Sequence, residues 1–243
     1  MCIRDRLETA DLAAMQTASL RAMTTQAMAG LTSEQIVALT SAQAAALTSG
    51  QAAALSTDQI AVMETADLSA LAATSVAAMG TALIEALTTA QISAITSSQL
   101  AVLTTAQIQA IQTEDIEAMT TAQISRLSMA QVAALTSGQV QALETGDLRT
   151  LSAVQLRALD TAQVQQLTSE QVAALTSAQV AALSTAQLAA IDTEDIEALS
   201  SSQFSALSAA QMAALTTVQI VAIETADLRT LSSTLLCQTR RLP

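Results

Sequence analysis

"LTSEQVAALTSAQVAALSTAQLAAIDTEDIEAL", residues 167–199, returns to a large apolar residue every eight positions. Cutting the chain at Leu7 extends that frame through Gln238 as 29 consecutive octads without an insertion. Position one is Leu, Met or Ile in all 29. Position six is a larger apolar residue in 27, with Ala44 and Ala52 the exceptions, and position five is Gln or Asp in 24. Repetition this regular decides the fold class before local propensity does.

Neither a continuous helix nor a strand suits a period of eight. Eight residues of α-helix overshoot two full turns by roughly 80°, so the apolar stripe of one long helix would wind around the rod. A strand would put positions one and six on opposite faces, and Ala and Gln are poor strand formers. Something must therefore reset a helix in every octad. Positions two to five supply it: "TSEQ" at 168–171 and "TTAQ" at 104–107 are capping boxes. The Thr hydroxyl accepts an early backbone N–H, and Gln three residues on reaches back to the N-cap N–H.

Each octad is thus expected to be one short helix of about two turns, with position six and the next position one on a shared face. Helices this short are marginal alone, so they must stack around a continuous Leu/Ile/Val core. The expected fold is all-α, a solenoid of short helices with one helix per eight-residue repeat over 7–238. With two octads in each turn and neighbours ~9 Å apart, the array would span on the order of 130 Å. A longer repeat lies over the octads. "METADLSA" (63–70), "LETGDLRT" (143–150) and "IETADLRT" (223–230) recur ten octads apart, as do "IQTEDIEA" (111–118) and "IDTEDIEA" (191–198). On a two-octad turn, the Asp octads at 63, 111, 143, 191 and 223 would share one side.

The ends depart from the frame. "MCIRDR" at 1–6 back-translates, in one reading, to the transposon mosaic end used in sequencing-library preparation, and it is set aside as an adapter scar together with Cys2. Residues 239–243 form a non-repeat tail, and Cys237 lies just before it. Between Cys2 and Cys237 the chain has no cysteine, so no disulfide framework is expected. The chain is expected to be a fragment of a larger protein with flanking domains.

Composition narrows the function. The chain has 243 residues with a formal charge of -12, one Phe, and no Tyr, Trp, His or Lys. Its 21 acids are spread along the chain and repel phosphate backbones and anionic lipid, so nucleic acid is not an expected partner. Mean hydropathy is +0.44, yet apolar runs of about four residues fall far short of the roughly 20 that span a bilayer, so no membrane insertion is expected. Without His, Lys or Tyr, and with no base beside any Ser or Thr, catalysis has few actors, and no catalytic or cofactor-binding residue is assigned.

Three candidate features remain. The acidic clusters Glu114, Asp115, Glu117 and Glu194, Asp195, Glu197 offer oxygen ligands for Ca²⁺, but first-turn carboxylates equally complement a helix dipole, and no metal site is assigned. The Ser/Thr rows suit a hydroxyl array for ice or sugar, though N-capping explains them locally. Position-five Gln could form a side-chain ladder, and capping suffices for it too. Met15, Met23, Met63, Met79 and Met119 at position one read as core filler.

"LTSEQVAAL" resembles the opening helix of TAL-effector repeats over that short stretch, but the base-reading loop of that family is absent. "LTTAQIQA" and "LTSAQVAA" resemble the octapeptide arrays of large bacterial surface or secreted proteins over residues 7–238. That resemblance implies a spacer or stalk, and an extracellular or cell-surface location. The expected function is a structural spacer or scaffold, with a protein-binding solenoid as the alternative.

Overall fold

The computed structural model describes residues 8–223. Among them are 27 α-helices and no strand, one helix in every octad. The fold is an all-α solenoid of short helices. The first octad begins at Leu7 and the last two fall in 223–238, so residues 1–6, expected to be an adapter scar, and the tail 239–243 lie outside the described residues.

The helix of residues Ser169–Ala174 shows how the reset works. Thr168, its N-cap, has φ -80° and ψ 160°, and its hydroxyl accepts the Gln171 N–H at 3.2 Å. Gln171 Oε1 returns to accept the Thr168 N–H at 2.9 Å, closing the capping box. At the other end Leu175, with φ -57° and ψ 141°, donates its N–H to Val172 O at 3.2 Å, a closure over three residues rather than four that ends the helix. Position two is extended in every described octad, as is position one wherever it is the C-cap, and the chain turns there. No described residue has a positive φ, so these corners need no left-handed glycine. The tight closure also shortens the elements to four to six residues, fewer than the two full turns expected from the pattern.

The chain divides into two compact units, 1–126 and 127–243. In the first, the helix Ser41–Ala46 packs against Thr65–Ala70, and Ser49–Ala53 against Ala73–Ala77. In the second, Ser169–Ala174 packs against Thr193–Glu197, and Thr161–Gln165 against Thr185–Ala190. Every one of these partners is three octads away. A turn of the solenoid therefore holds between three and four octads, not two, and the shared side expected for the Asp octads on a two-octad turn disappears. The reason is geometric: each corner bends the path by less than a reversal, so several helices are needed to come round.

Both apolar positions face the core. Val172 and Leu175 are buried, as are their counterparts in the described octads of the second unit except Ile220, which is half-buried, and Phe204 fills a position six with no exposure. Met63, Met79 and Met119 are buried core residues as expected, whereas Met15 and Met23 are only half-buried. Alanine at position eight of most octads leaves little bulk between them, so Leu, Ile and Val from successive turns interlock with Phe204 as the single aromatic.

Thermal melts separate these contributions. Thr168→Ala should cost about 1 kcal/mol through the lost cap, and Leu175→Ala about 2 to 5 kcal/mol through the cavity it leaves. Equal, negligible losses would mean that the octad frame is wrongly placed.

Candidate functional site

The most elaborate polar chemistry of the chain sits at the corners, on position five. Gln171 is buried, and its carboxamide has two jobs. The oxygen closes the capping box of its own helix. The Nε2 group donates to Val140 O at 3.0 Å, Gln141 O at 3.1 Å and Leu143 O at 2.7 Å, the C-terminal carbonyls of a helix one turn earlier. One side chain thus caps the start of its own helix and the end of another. The same tie recurs from Gln43 to Leu12 O and Met15 O, from Gln99 to Leu68 O and Leu71 O, and from Gln203 to Val172 O and Leu175 O. Gln163 makes it to Leu135 O as well.

The spacing is constant at 31 and 28 residues, which is the length of one turn measured by hydrogen bonds. Reversing the amide would set its oxygen against carbonyls and its nitrogen against an N–H, so only one orientation satisfies the corner. The side-chain ladder weighed against capping is therefore present together with it. Capping is only half of what Gln does. A signal for the other half existed in the sequence: capping boxes accept Glu as readily as Gln, yet no octad has Glu at position five. A carboxylate cannot donate to carbonyls.

Asp11 closes a capping box with Glu8 as Gln does, but the aspartate octads at 63, 111 and 191 solve the corner differently. The N-caps Glu64, Gln112 and Asp192 make no side-chain cap bond, so the capping box expected there is absent. Aspartate is one methylene shorter than Gln and turns to a hydroxyl at position three of an earlier octad. Ser41 Oγ donates to Asp67 Oδ1 at 2.7 Å, Ser169 Oγ to Asp195 Oδ1 at 2.6 Å, and the Thr89 hydroxyl bonds Asp115. The Asp67 Oδ2 atom is buried with no hydrogen-bond partner. Burial pushes the carboxyls of Asp115 and Asp195 above the ordinary value of 3.8; their hydroxyl partners pull them down, and neighbouring carboxylates raise them further.

The acidic clusters do not converge. Asp115 and Asp195 are buried, while Glu114, Glu117, Glu194 and Glu197 are exposed on the other side of their helices. Among the described residues no group of three or more His, Cys, Asp or Glu is close enough to hold a metal ion. The position-two hydroxyls are also committed inward. Thr32, Thr40, Thr48, Thr104 and Ser184 each accept a backbone N–H of their own helix, as capping predicts. No described helix is long and apolar enough to cross a membrane.

One helix per octad, an aliphatic core and corners tied by buried carboxamides define an octapeptide-repeat α-solenoid. The ALTTAQ repeat family matches residues 5–41, 60–97, 108–145, 140–177 and 188–222, well over half of the chain, and the chain belongs to that family. Each matched stretch is longer than the 32 residues needed to contain one complete tie. No curated protein sequence matches it.

Two substitutions test the corner. Gln171→Leu should cost about 2 to 4 kcal/mol, more than Thr168→Ala, because carbonyls of the earlier turn lose their buried donor. Asp195→Asn should raise the melting temperature at neutral pH. A carboxyl with a raised folded pKa stabilises the fold only while protonated, and that contribution is lost as pH rises through the folded value. The native chain should accordingly gain stability as pH falls from neutral towards the ordinary carboxyl value of 3.8, and the Asn variant should gain less. A lower neutral-pH melting temperature for Asp195→Asn would contradict the burial account.

Proposed function

We propose that the array is a non-catalytic structural spacer within a larger protein, its length set by the number of octads. The observation that supports this most is uniformity: the Gln tie repeats with the same kind of partners and the same spacing from Gln43 to Gln219. Length-setting elements need interchangeable units, and a solenoid whose neighbours interact only locally tolerates their duplication. The ten-octad recurrence is the trace such duplication would leave. Exposed large apolar side chains such as Val37, Met129, Val154 and Val218 are spread over octad positions three, four and seven, and none is an aromatic anchor of the kind that dominates protein-binding faces. The residues before Leu7 and after Gln238 fall outside the proposed array.

Removing residues 111–190 from the full chain deletes ten octads and keeps the register, so the ties should re-form across the junction. Helical signal per residue should be unchanged in circular dichroism, and the maximum dimension in small-angle scattering should fall in proportion to the octads removed. Loss of folding, or an unchanged dimension, would count against a modular spacer.

A further inference from the structure

Three consecutive octads, 63–86, together nearly one turn, carry no Gln at position five: Asp67, Ser75 and Leu83 stand there. The octads on either side are complete. Gln43, Gln51 and Gln59 tie 39–62 to the turn before it through Met15 O, Met23 O and Leu31 O. Gln91, Gln99 and Gln107 tie 87–110 back to Met63 O, Leu71 O and Met79 O. The boundary between 39–62 and 63–86 is thus left without a carboxamide at every corner.

Its bonding is correspondingly thin. Among the described residues three single hydroxyl bonds cross it: Ser41 Oγ to Asp67 Oδ1 at 2.7 Å, Ser49 Oγ to Thr74 O at 3.2 Å and Ser75 Oγ to Leu47 O at 3.1 Å. Several acceptors go unmet. Leu39 and Leu55 stand 28 residues before Asp67 and Leu83, the register at which a carbonyl receives Gln elsewhere, yet their carbonyls have no donor among the described residues. The buried Asp67 Oδ2 has none either. Each buried acceptor without a donor weighs against the closed state. The N-caps Glu64, Ala72 and Gly80 make no side-chain cap bond, so the three helices lack that support as well. Packing is also thinner here. Ala44 and Ala52 of the earlier turn are the only small residues at position six. A cavity of about 310 Å³ opens at the boundary, with Ala45, Leu47 and Ser49 lining it from one turn and Ala72, Thr74 and Ser75 from the next.

We propose that the boundary between 39–62 and 63–86 is a built-in yield point, opening as a whole while the tied turns on either side stay closed. Each turn of a solenoid is held by its neighbours alone, so bonding lost at every corner of one boundary is not replaced from elsewhere. The use of such a point rests on the spacer reading: an array under tension lengthens first at this place, and the tied turns beyond it are spared. The opening itself does not depend on that use and is measured without tension.

Native-state amide exchange on the full chain reads the opening. The N–H groups of Leu39, Leu47 and Leu55 belong to corners that lack a Gln, and those of Leu31, Met63 and Met79 to tied corners; all six donate to the carbonyl three residues back. The first three should exchange at least about tenfold faster than the second three. The variant E64T/D67Q/A72T/S75Q restores two of the three corners. It should slow Leu39 and Leu47 and, because the boundary opens as a whole, Leu55 with them. Pulled from its ends, the native chain should yield first at a lower force than this variant. Equal exchange at the two sets in the native chain would overturn the proposal whatever the variant does. Slowing confined to Leu39 and Leu47 would overturn it too, since the corners would then open separately, and an equal first yield force would overturn the use under tension.

Discussion

The buried position-five carboxamide is the constraint on which the rest of the solenoid depends. A helix of four to six residues leaves most of its N–H and C=O groups without intrahelical partners, and it cannot be stable alone. Stacking such helices in a core multiplies the problem, because every turn adds more ends that are shielded from water. Gln has one acceptor oxygen and one two-proton donor on a single planar group, and Gln171 satisfies an N-terminus with the first and a C-terminus with the second. The ends of one turn become the partners of the next. A buried polar network in which each member is satisfied stabilises and specifies a register, whereas a half-satisfied one is worse than an apolar core.

Several properties of the chain follow. Because a helix is terminated by extended residues at positions one and two, glycine is needed at no corner. Because each Gln reaches a fixed distance back along the chain, to the turn before it, one continuous frame must be kept, and the array carries no insertion. Because the helices are thin and faced with Ala, Leu, Ile and Val close the core with Phe204 as its one aromatic. Aspartate is the tolerated variation: at Asp195 the hydroxyl of Ser169, at position three of an earlier octad, meets the carboxylate, the cap is lost and burial raises the carboxyl pKa.

The sequence carried much of this in plain view, and the division has a physical basis. A capping box is local: Thr168 and Gln171 are near neighbours in the chain, and their pattern announces a helix start through side-chain chemistry alone. Burial of Val172 and Leu175 is equally local, written in the period of eight. The Nε2 bond to Leu143 is not, because its partner is a distant backbone carbonyl, identical in every residue type. Only the absence of Glu from position five hinted at it. The number of octads per turn was likewise hidden, since it is set by the bend at each corner and the packing of successive turns, neither of which changes the repeat length. The grouping "EDIE" suggested a cation site because its acids are adjacent in sequence, yet a helix sends Asp195 inward and Glu194 and Glu197 outward.

Side-chain amide exchange tests the central claim most directly. If the position-five carboxamides tie successive turns, the Nε2 protons of Gln171, Gln179 and Gln203 should exchange with solvent at least about a hundredfold more slowly than those of the exposed Gln26 and Gln165. Protection should rise and fall together along the array, since each tie depends on the turn before it. Exchange of the position-five amides as fast as that of the exposed ones would mean that these side chains cap their own helices at most, and that something other than Gln holds the turns together.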